Sequence, residues 1–343
     1  MTIPRIQRGK VEETFIDAEG DAGDMELAML GMIFLAGIIL IIKGGDWFVD
    51  AASWIAEVSG IPKLIVGATI VSLATTLPEL LVSAMAAAQG KVDMAVGNAV
   101  GSVTANLGLI MAVSILCMPV KIHRGDYLLK SVLMLSAAGL LIWGGRLGTV
   151  GLALSVPLLG IFAVFTYENL RGAYRAMRCG GDLGPMREPP RKRTVLFQCL
   201  KFSIGAAAVM LGADLLVDSG SALARLMGIS ERIIGVTVVA IGTSLPELVT
   251  TATAIVKKQS ALSVGNILGA NILDLTMILP LSALLAGQAL PVSAASARID
   301  LPACLLAGVI AMLPAIVAAR FKRWQGAALL AVYAGYIVLT CLA

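Results

Sequence analysis

Two glutamates stand in the middle of segments apolar enough to cross a membrane. Glu79 closes the stretch GATIVSLATTLPE, which begins at Gly67, and Glu247 closes GVTVVAIGTSLPE, which begins at Gly235. Each follows a proline (Pro78, Pro246) and a pair of hydroxyls, Thr75 with Thr76 and Thr243 with Ser244. A charge at mid-bilayer costs at least ~2.5–3.5 kcal/mol, so an intramembrane carboxylate is a candidate functional group. A single one would also fit a protonated or paired structural glutamate; a symmetric pair weighs against that. Each proline lacks an N–H, so the carbonyls about four residues back, Ala74 and Gly242, lose their helix partner and can face a cavity. Carbonyls, hydroxyls and carboxylates are the ligands of hard cations; Ca²⁺ takes about six to eight such oxygens at about 2.3–2.6 Å. Softer chemistry is excluded. The five cysteines (Cys117, Cys179, Cys199, Cys304, Cys341) have no paired spacing and read as small apolar packing residues. The lone histidine, His123, sits beside Arg124 and near Lys121 in a loop. No phosphate-binding GxxxxGK[ST] stretch occurs, and no cofactor is expected.

The two stretches lie 168 residues apart, and that offset keeps matching without a gap. Gly97-Asn98 falls on Gly265-Asn266, Gly101 on Gly269 and Asn106 on Asp274. Upstream, Asp46 and Asp50 fall on Asp214 and Asp218. The glycines of GNAVGS and GNILGA allow close helix approach, which would bring Asn106 and Asp274 against the Pro-Glu breaks. Asn98 and Asn266 would cap or bridge the interruption, and Ser102 is a further potential ligand. Asp46 and Asp214 sit beside glycine in long helices; a lining role and a packing role both stay open for them.

Composition supplies the elements that position these groups. Hydrophobic residues make up 58% of the chain and charged ones 14%, with mean hydropathy +0.90. Soluble domains carry about 25% charged residues, so this is an integral membrane protein. The net charge of +4 is no nucleic-acid signature, because the basic residues collect in short loops. Residues 1–25 are polar and increasingly acidic, lack a signal-peptide pattern, and are expected to form a disordered tail. Spans are expected at about 26–58, 63–88, 93–118, 127–145 and 149–172, the first tilted or bent. A flexible basic linker covers 173–194. Further spans follow at about 195–227, 231–256, 261–287, 298–319 and 324–342. With the N-terminus outside, the inward loops and the linker hold fifteen basic residues and the outward loops four (Lys91, Arg146, Arg232, Arg298), as the positive-inside rule requires. Five spans per repeat force the second repeat in from the opposite side. The expected fold is all-α, ten transmembrane helices in two inverted five-helix repeats (26–172 and 195–343), with a site between the halves at mid-membrane.

The paired GxTxxxxxTxLPE and GNxxGxxxxN/D segments, over 67–109 and 235–277, resemble the two alpha-repeats of the cation/calcium exchanger superfamily, in its sodium/calcium exchanger branch. The resemblance spans about residues 27–343. It implies that the long first and sixth helices slide across a rigid core of the other eight. It further implies that Glu79 and Glu247 are shared Ca²⁺ ligands, with Asn106 and Asp274 completing a central diamond. Carbonyls and hydroxyls at Ser72, Thr75, Thr76, Ser102, Ala240, Thr243 and Ser244 would form the Ca²⁺ site and flanking Na⁺ sites. The chain departs from the family pattern at Ala270, where Ser is usual, at Thr76, which replaces Ser, at Val103, where Asn is common, and at Ser72, often Ala.

The expected activity is secondary antiport of Ca²⁺ against Na⁺ or H⁺ across a cytoplasmic (inner, plasma) membrane. Two carboxylates match one Ca²⁺ or several monovalent ions, so competition for them couples the fluxes without ATP. A Ca²⁺/H⁺ exchanger of the same fold is the alternative within the class. An intramembrane carboxylate hydrolase would leave the duplication of the whole half-molecule without a purpose, and a cation channel, which would use the same oxygens, generally repeats around a pore axis along the membrane normal. The partners expected are the ions and the lipid bilayer, with no nucleic acid and no obligatory protein.

Overall fold

Apolar runs punctuated by Gly, Pro and basic residues fold as helices throughout. The computed structural model describes residues 7–90, 92–119, 121–122, 124–179, 191–228, 242 and 244–342. Helix α1 is Gln7–Ser59. After Gly60, at φ +68°, α2 (Lys63–Thr75) and α3 (Leu77–Ala88) meet at a 45° bend. α4 runs from Val92–Ala105 through π-helical Asn106–Met111 into Ala112–Cys117. α5 is Arg124–Leu147, α6 Leu152–Cys179, α7 Lys192–Leu226 and α8 Leu245–Val256. α9 joins Ser260–Leu273, π-helical Asp274–Ile278 and Leu279–Ala286. α10 joins π-helical Ser296–Asp300 to Leu301–Ala318, and α11 is Arg323–Leu342. Among the described residues eight helices are long and apolar enough to cross a membrane, and α2 with α3 pass the same test as a bent pair.

Two expectations about boundaries are corrected. The N-terminal tail is helical from Gln7 and continuous with the first span. Residues 7–25 are mostly helix formers, with glycines but no proline, so a helix anchored in the apolar run extends outward through them. The connector between the halves is also shorter than 173–194, because α6 runs to Cys179 and α7 begins at Lys192. Residues 229–241 and 243, which include the site candidates Ala240 and Thr243, lie outside the described residues.

Burial separates core from periphery. The most apolar stretches of α4 and α9 are 72% and 78% buried, whereas those of α1 and α7 are 17% and 22% buried. Val100, Leu107, Met111, Ile267 and Leu275 of α4 and α9 form the centre, with Met134 and Met312 closing over them. The site-bearing helices are therefore the rigid interior, and the two long helices lie against it with their outer faces exposed.

Helices have no hydrophobic drive to associate in lipid, so small residues decide where they touch. α1 and α7 cross antiparallel through reciprocal glycines. A Cβ on Gly37 would lie 3.0 Å from the Gly212 carbonyl oxygen, and one on Gly44 2.9 Å from that of Gly205. The 168-residue offset carries Gly37 onto Gly205 and Gly44 onto Gly212, so each glycine meets the equivalent of the other. Phe48 and Phe202 stack alongside, with ring centroids 4.6 Å apart. α2 runs along α9 in parallel, again through glycines: a Cβ on Gly265 would collide with the Leu64 carbonyl, and one on Gly269 would lie 2.7 Å from that of Ala68.

The loops repeat this reciprocity. Thr149–Val150 (β1) pairs antiparallel with Leu290–Pro291 (β2), and Lys121 bridges to Arg320. Shifting the first pairing by 168 residues gives Ile122 against 318, beside the observed Ile122 N–H donor to the Ala319 carbonyl at 3.0 Å.

Gly265→Ala should destabilise the protein by about 1–3 kcal/mol, because backbone must move to admit the methyl group. Gly139→Ala, on α5 with nothing within 4 Å of the added carbon, should be neutral or slightly stabilising. Thermal unfolding in detergent compares the two.

Candidate ion-binding site

Both glutamates sit in the first turn of a helix that restarts after a break. Thr76 separates α2 from α3, and Leu77, Pro78 and Glu79 open α3. Ser244 precedes α8, which opens with Leu245, Pro246 and Glu247. Proline is suited to a first helical turn because its missing N–H is not needed there. A helix N-terminus carries partial positive charge, which favours a carboxylate in that turn. The helix ending at Thr75 turns its partial negative end to the same place, where a cation would be favoured.

The two breaks are brought together in the interior. The Thr76 hydroxyl lies 3.4 Å from Glu247 Oε1, across the two halves. Thr75 donates to Asn266 Oδ1 at 3.1 Å, with the Ser72 carbonyl at 3.3 Å. The Asn98 amide donates to the Glu79 carbonyl at 3.2 Å and to Ser83 Oγ at 2.9 Å. Asn98 thus holds the first turns of α3, and Asn266 ties α9 to the end of α2. Asn106 and Asp274 each begin a π-helical turn in the next helix. Such turns widen the backbone and recur at functional sites.

Ser72, Thr75, Thr76, Glu79, Ser102, Asn106, Ser244, Glu247 and Asp274 are all buried. Among the described residues, both carboxylate oxygens of Glu79, Oε2 of Glu247, Oδ1 of Asp274, Oδ1 of Asn106 and the hydroxyls of Ser102 and Ser244 have no hydrogen-bond partner. Glu79 lies within electrostatic reach of Glu247 and Asp274, and no Lys, Arg or His pairs with any of the three among the described residues. The acids do not themselves converge into a cage: among the described residues no three His, Cys, Asp or Glu side chains form a metal-holding group. A cation held here would draw on hydroxyls, amides and carbonyls between the carboxylates.

Ala270 is fully buried opposite this cluster and offers no oxygen, as does Val103. The structure adds polar residues that the motif reading passed over. Ser83 and Thr251 lie one turn beyond Glu79 and Glu247, are related by the 168-residue offset, and are buried. Asn271 is fully buried with both amide atoms unpartnered among the described residues. A scan of the helix faces at i+4 from each glutamate would have found the first two.

The open question about Asp46 and Asp214 resolves asymmetrically. Lys257 Nζ reaches Asp46 Oδ1 at 3.2 Å and Asp50 Oδ1 at 2.7 Å, and Lys201 reaches Asp50 Oδ2 at 3.1 Å. Asp214 and Asp218 instead line a cavity of about 220 Å³ that reaches Pro78 and Pro246.

A bundle of apolar helices around buried carboxylates, amides and hydroxyls, several with unpartnered oxygens among the described residues, fits a membrane protein that handles cations. Comparison with known proteins supplies the particular class. The family described as sodium/calcium exchanger protein matches residues 29–170 and 198–342. An inner membrane protein of Escherichia coli, YrbG, is 33% identical over 74% of this chain and 79% of its own length. The sodium/calcium exchanger MaX1 of Methanosarcina acetivorans is 28% identical over 90% of this chain and 97% of its own. The solved structure of the sodium–calcium exchanger NCX_Mj superposes with TM-score 0.77 at 28% identity, covering 91% of this chain and 99% of that one. The chain belongs to the sodium/calcium exchanger family, whose members are transporters rather than enzymes.

Removing one of the mutually repelling carboxylates should stabilise the ion-free protein. Glu247→Gln is expected to stabilise the protein in chelator by up to about 3 kcal/mol, read as a higher melting temperature. Differential scanning fluorimetry in detergent, with and without chelator, measures it.

Proposed function

We propose that this protein exchanges Ca²⁺ for Na⁺ across the membrane by alternating access through the cluster around Glu79 and Glu247. The observation that carries this reading is the set of buried carboxylates with unpartnered oxygens and no protein cation beside them. Such a site is electrically incomplete until positive charge arrives from outside the protein. One Ca²⁺ or several Na⁺ would satisfy it, and both loads together would overcharge it. Competition for the same carboxylates then couples the two fluxes. An empty site would leave bare charge facing the apolar core during the switch, which disfavours leak.

The ligands in this reading are Glu79 and Glu247, with Asn106, Asp274 and the oxygens of Ser72, Thr75, Thr76, Ser102, Ala240, Thr243 and Ser244. The architecture that goes with it has ten transmembrane helices in two inverted repeats, with the N-terminus outside and the connector after α6 in the cytosol. The reciprocal Gly37–Gly212 and Gly44–Gly205 contacts support the inversion, because equivalent helices that meet through swapped equivalents must run antiparallel. In the exchange cycle α1 and α7 move together across the interior formed by α4 and α9. Ala270 favours a second reading, proton for sodium, since it withdraws a hydroxyl from the ring of oxygens.

Uptake of radiolabelled Ca²⁺ into proteoliposomes decides between them. Na⁺-loaded vesicles should accumulate Ca²⁺, K⁺-loaded vesicles should not, and Glu247→Gln should reduce uptake at least about tenfold. Uptake that follows an imposed pH gradient and ignores Na⁺ would replace Na⁺ by H⁺ as the counter-ion. No counter-ion-dependent uptake at all would overturn exchange.

A further inference from the structure

The two halves carry the same acidic pair on their long helices, but only one pair is neutralised. On α1, Asp46 and Asp50 hold Lys257, which also donates to the Asp46 carbonyl at 2.9 Å. Lys257 is the residue immediately after α8, so this network ties a long helix to the interior. Packing closes the same place: a Cβ on Gly45 would lie 2.9 Å from Thr253 Oγ1 and 3.0 Å from Val249 Cγ1. Val49 and Thr250 beside it are fully buried.

The equivalent place in the other half is open. The residue immediately after α3 is Gln89, which the 168-residue offset sets against Lys257. Lys201 falls on Ile33. Among the described residues no cation pairs with Asp214 or Asp218. Ala213, the equivalent of Gly45, faces the cavity with Asp214, Val217, Asp218, Pro78 and Val82 instead of a packed helix. Of two places equivalent by sequence, one is packed shut and, among the described residues, the other holds a cavity that reaches Pro78 and Pro246 next to the carboxylates; the packed side is the one with the lysine.

We propose that Lys257 is a latch: a positioning residue that holds α1 against α8 and keeps one of the two routes to the ion site closed. It sets which face of the membrane the cation reaches more readily. The Lys201–Asp50 pair joins α1 to α7 and travels with them, and Lys63–Glu57 sits at the short link between α1 and α2, so in a slide of the long helices Lys257 is the contact to α8 that breaks. This rests on the alternating-access reading for its consequence, but the closure itself can be read without transport. Two states of a latched helix differ in population, and a ligand or reagent that needs the minor state sees its effective accessibility scaled by that population.

Thiol labelling tests it. In a chain whose five native cysteines are replaced by serine, a reporter at Thr250→Cys sits on the sealed side and one at Val82→Cys, its equivalent, in the cavity. Lys257→Gln should speed labelling of the first by a membrane-impermeant maleimide about fivefold and slow the second, a shift of the size one broken ion-pair network produces. Lys257→Arg should restore the original ratio. Gln89→Lys, which offers Asp214 and Asp218 a cation, should slow labelling at Val82→Cys. In exchanging proteoliposomes of known orientation, Lys257→Gln should also lower the apparent KM for Ca²⁺ at the face where α8 ends and raise it at the opposite face. Unchanged labelling at Thr250→Cys in Lys257→Gln overturns the latch even if exchange is intact. Equal changes at both reporters likewise overturn it, as general loosening. Absence of exchange with the labelling shift present overturns the transport reading and leaves the latch standing.

Discussion

Everything in this molecule answers to two carboxylates buried among apolar helices. An ionised group in an apolar interior must find compensating charge or dipoles within a few ångströms. The chain supplies dipoles and withholds charge. Glu79 and Glu247 each sit in the first turn of a helix, the Thr76 hydroxyl lies beside Glu247, and Asn98 bonds the Glu79 carbonyl. No lysine or arginine is spent there among the described residues, although the chain pairs lysines with Asp46 and Asp50 at the periphery of the same bundle. Leaving the centre short of positive charge is what makes it receptive to an ion that can come and go.

The breaks that create this site are made stable by the helices behind them. α4 and α9 are the most buried elements of the bundle, and α2 lies against α9 at glycine-to-backbone distance. Close backbone approach at Gly265 and Gly269 positions Asn266 to receive the Thr75 hydroxyl, and Asn98 of α4 bonds the Glu79 carbonyl. The two motif copies differ here: a Cβ on Gly97 would meet nothing within 4 Å, so the motif glycines bring helices together in α9 and not in α4.

Much of this was legible in the sequence because duplication acts as an internal control. A lone Pro-Glu pair in an apolar run is ambiguous; a second copy at a constant offset, with Asn98 on Asn266 and Asn106 on Asp274, is not. The eight spans and the bent pair among the described residues followed from hydropathy, which has a long-range signal. Three features were not legible. The helical state of residues 7–25 turns on propagation from an anchored neighbour, which composition does not register. The π-helical turns at Asn106 and Asp274 are one-residue accommodations within a continuous helical pattern, so periodicity passes over them. The differing surroundings of Asp46 and Asp214 depend on Lys257, some two hundred residues from α1's acids and matched by Gln89 in the other copy.

The short link after the first long helix has a mechanical consequence. α1 ends at Ser59 and α2 begins at Lys63, leaving Gly60, Ile61 and Pro62 as the whole leash. Three residues pulled straight reach roughly 10 Å, and proline stiffens one of them. Gly228, also at positive φ, holds the matching place after α7. Because α1 and α7 are seamed together by their glycines, the tighter leash limits both. In the proposed exchange cycle, this leash bounds how far the long helices can travel past the interior. Exchange by such a slide would be a short-stroke machine, in which a displacement of no more than the width of one helix, ~10 Å, must suffice to exchange one exit for the other.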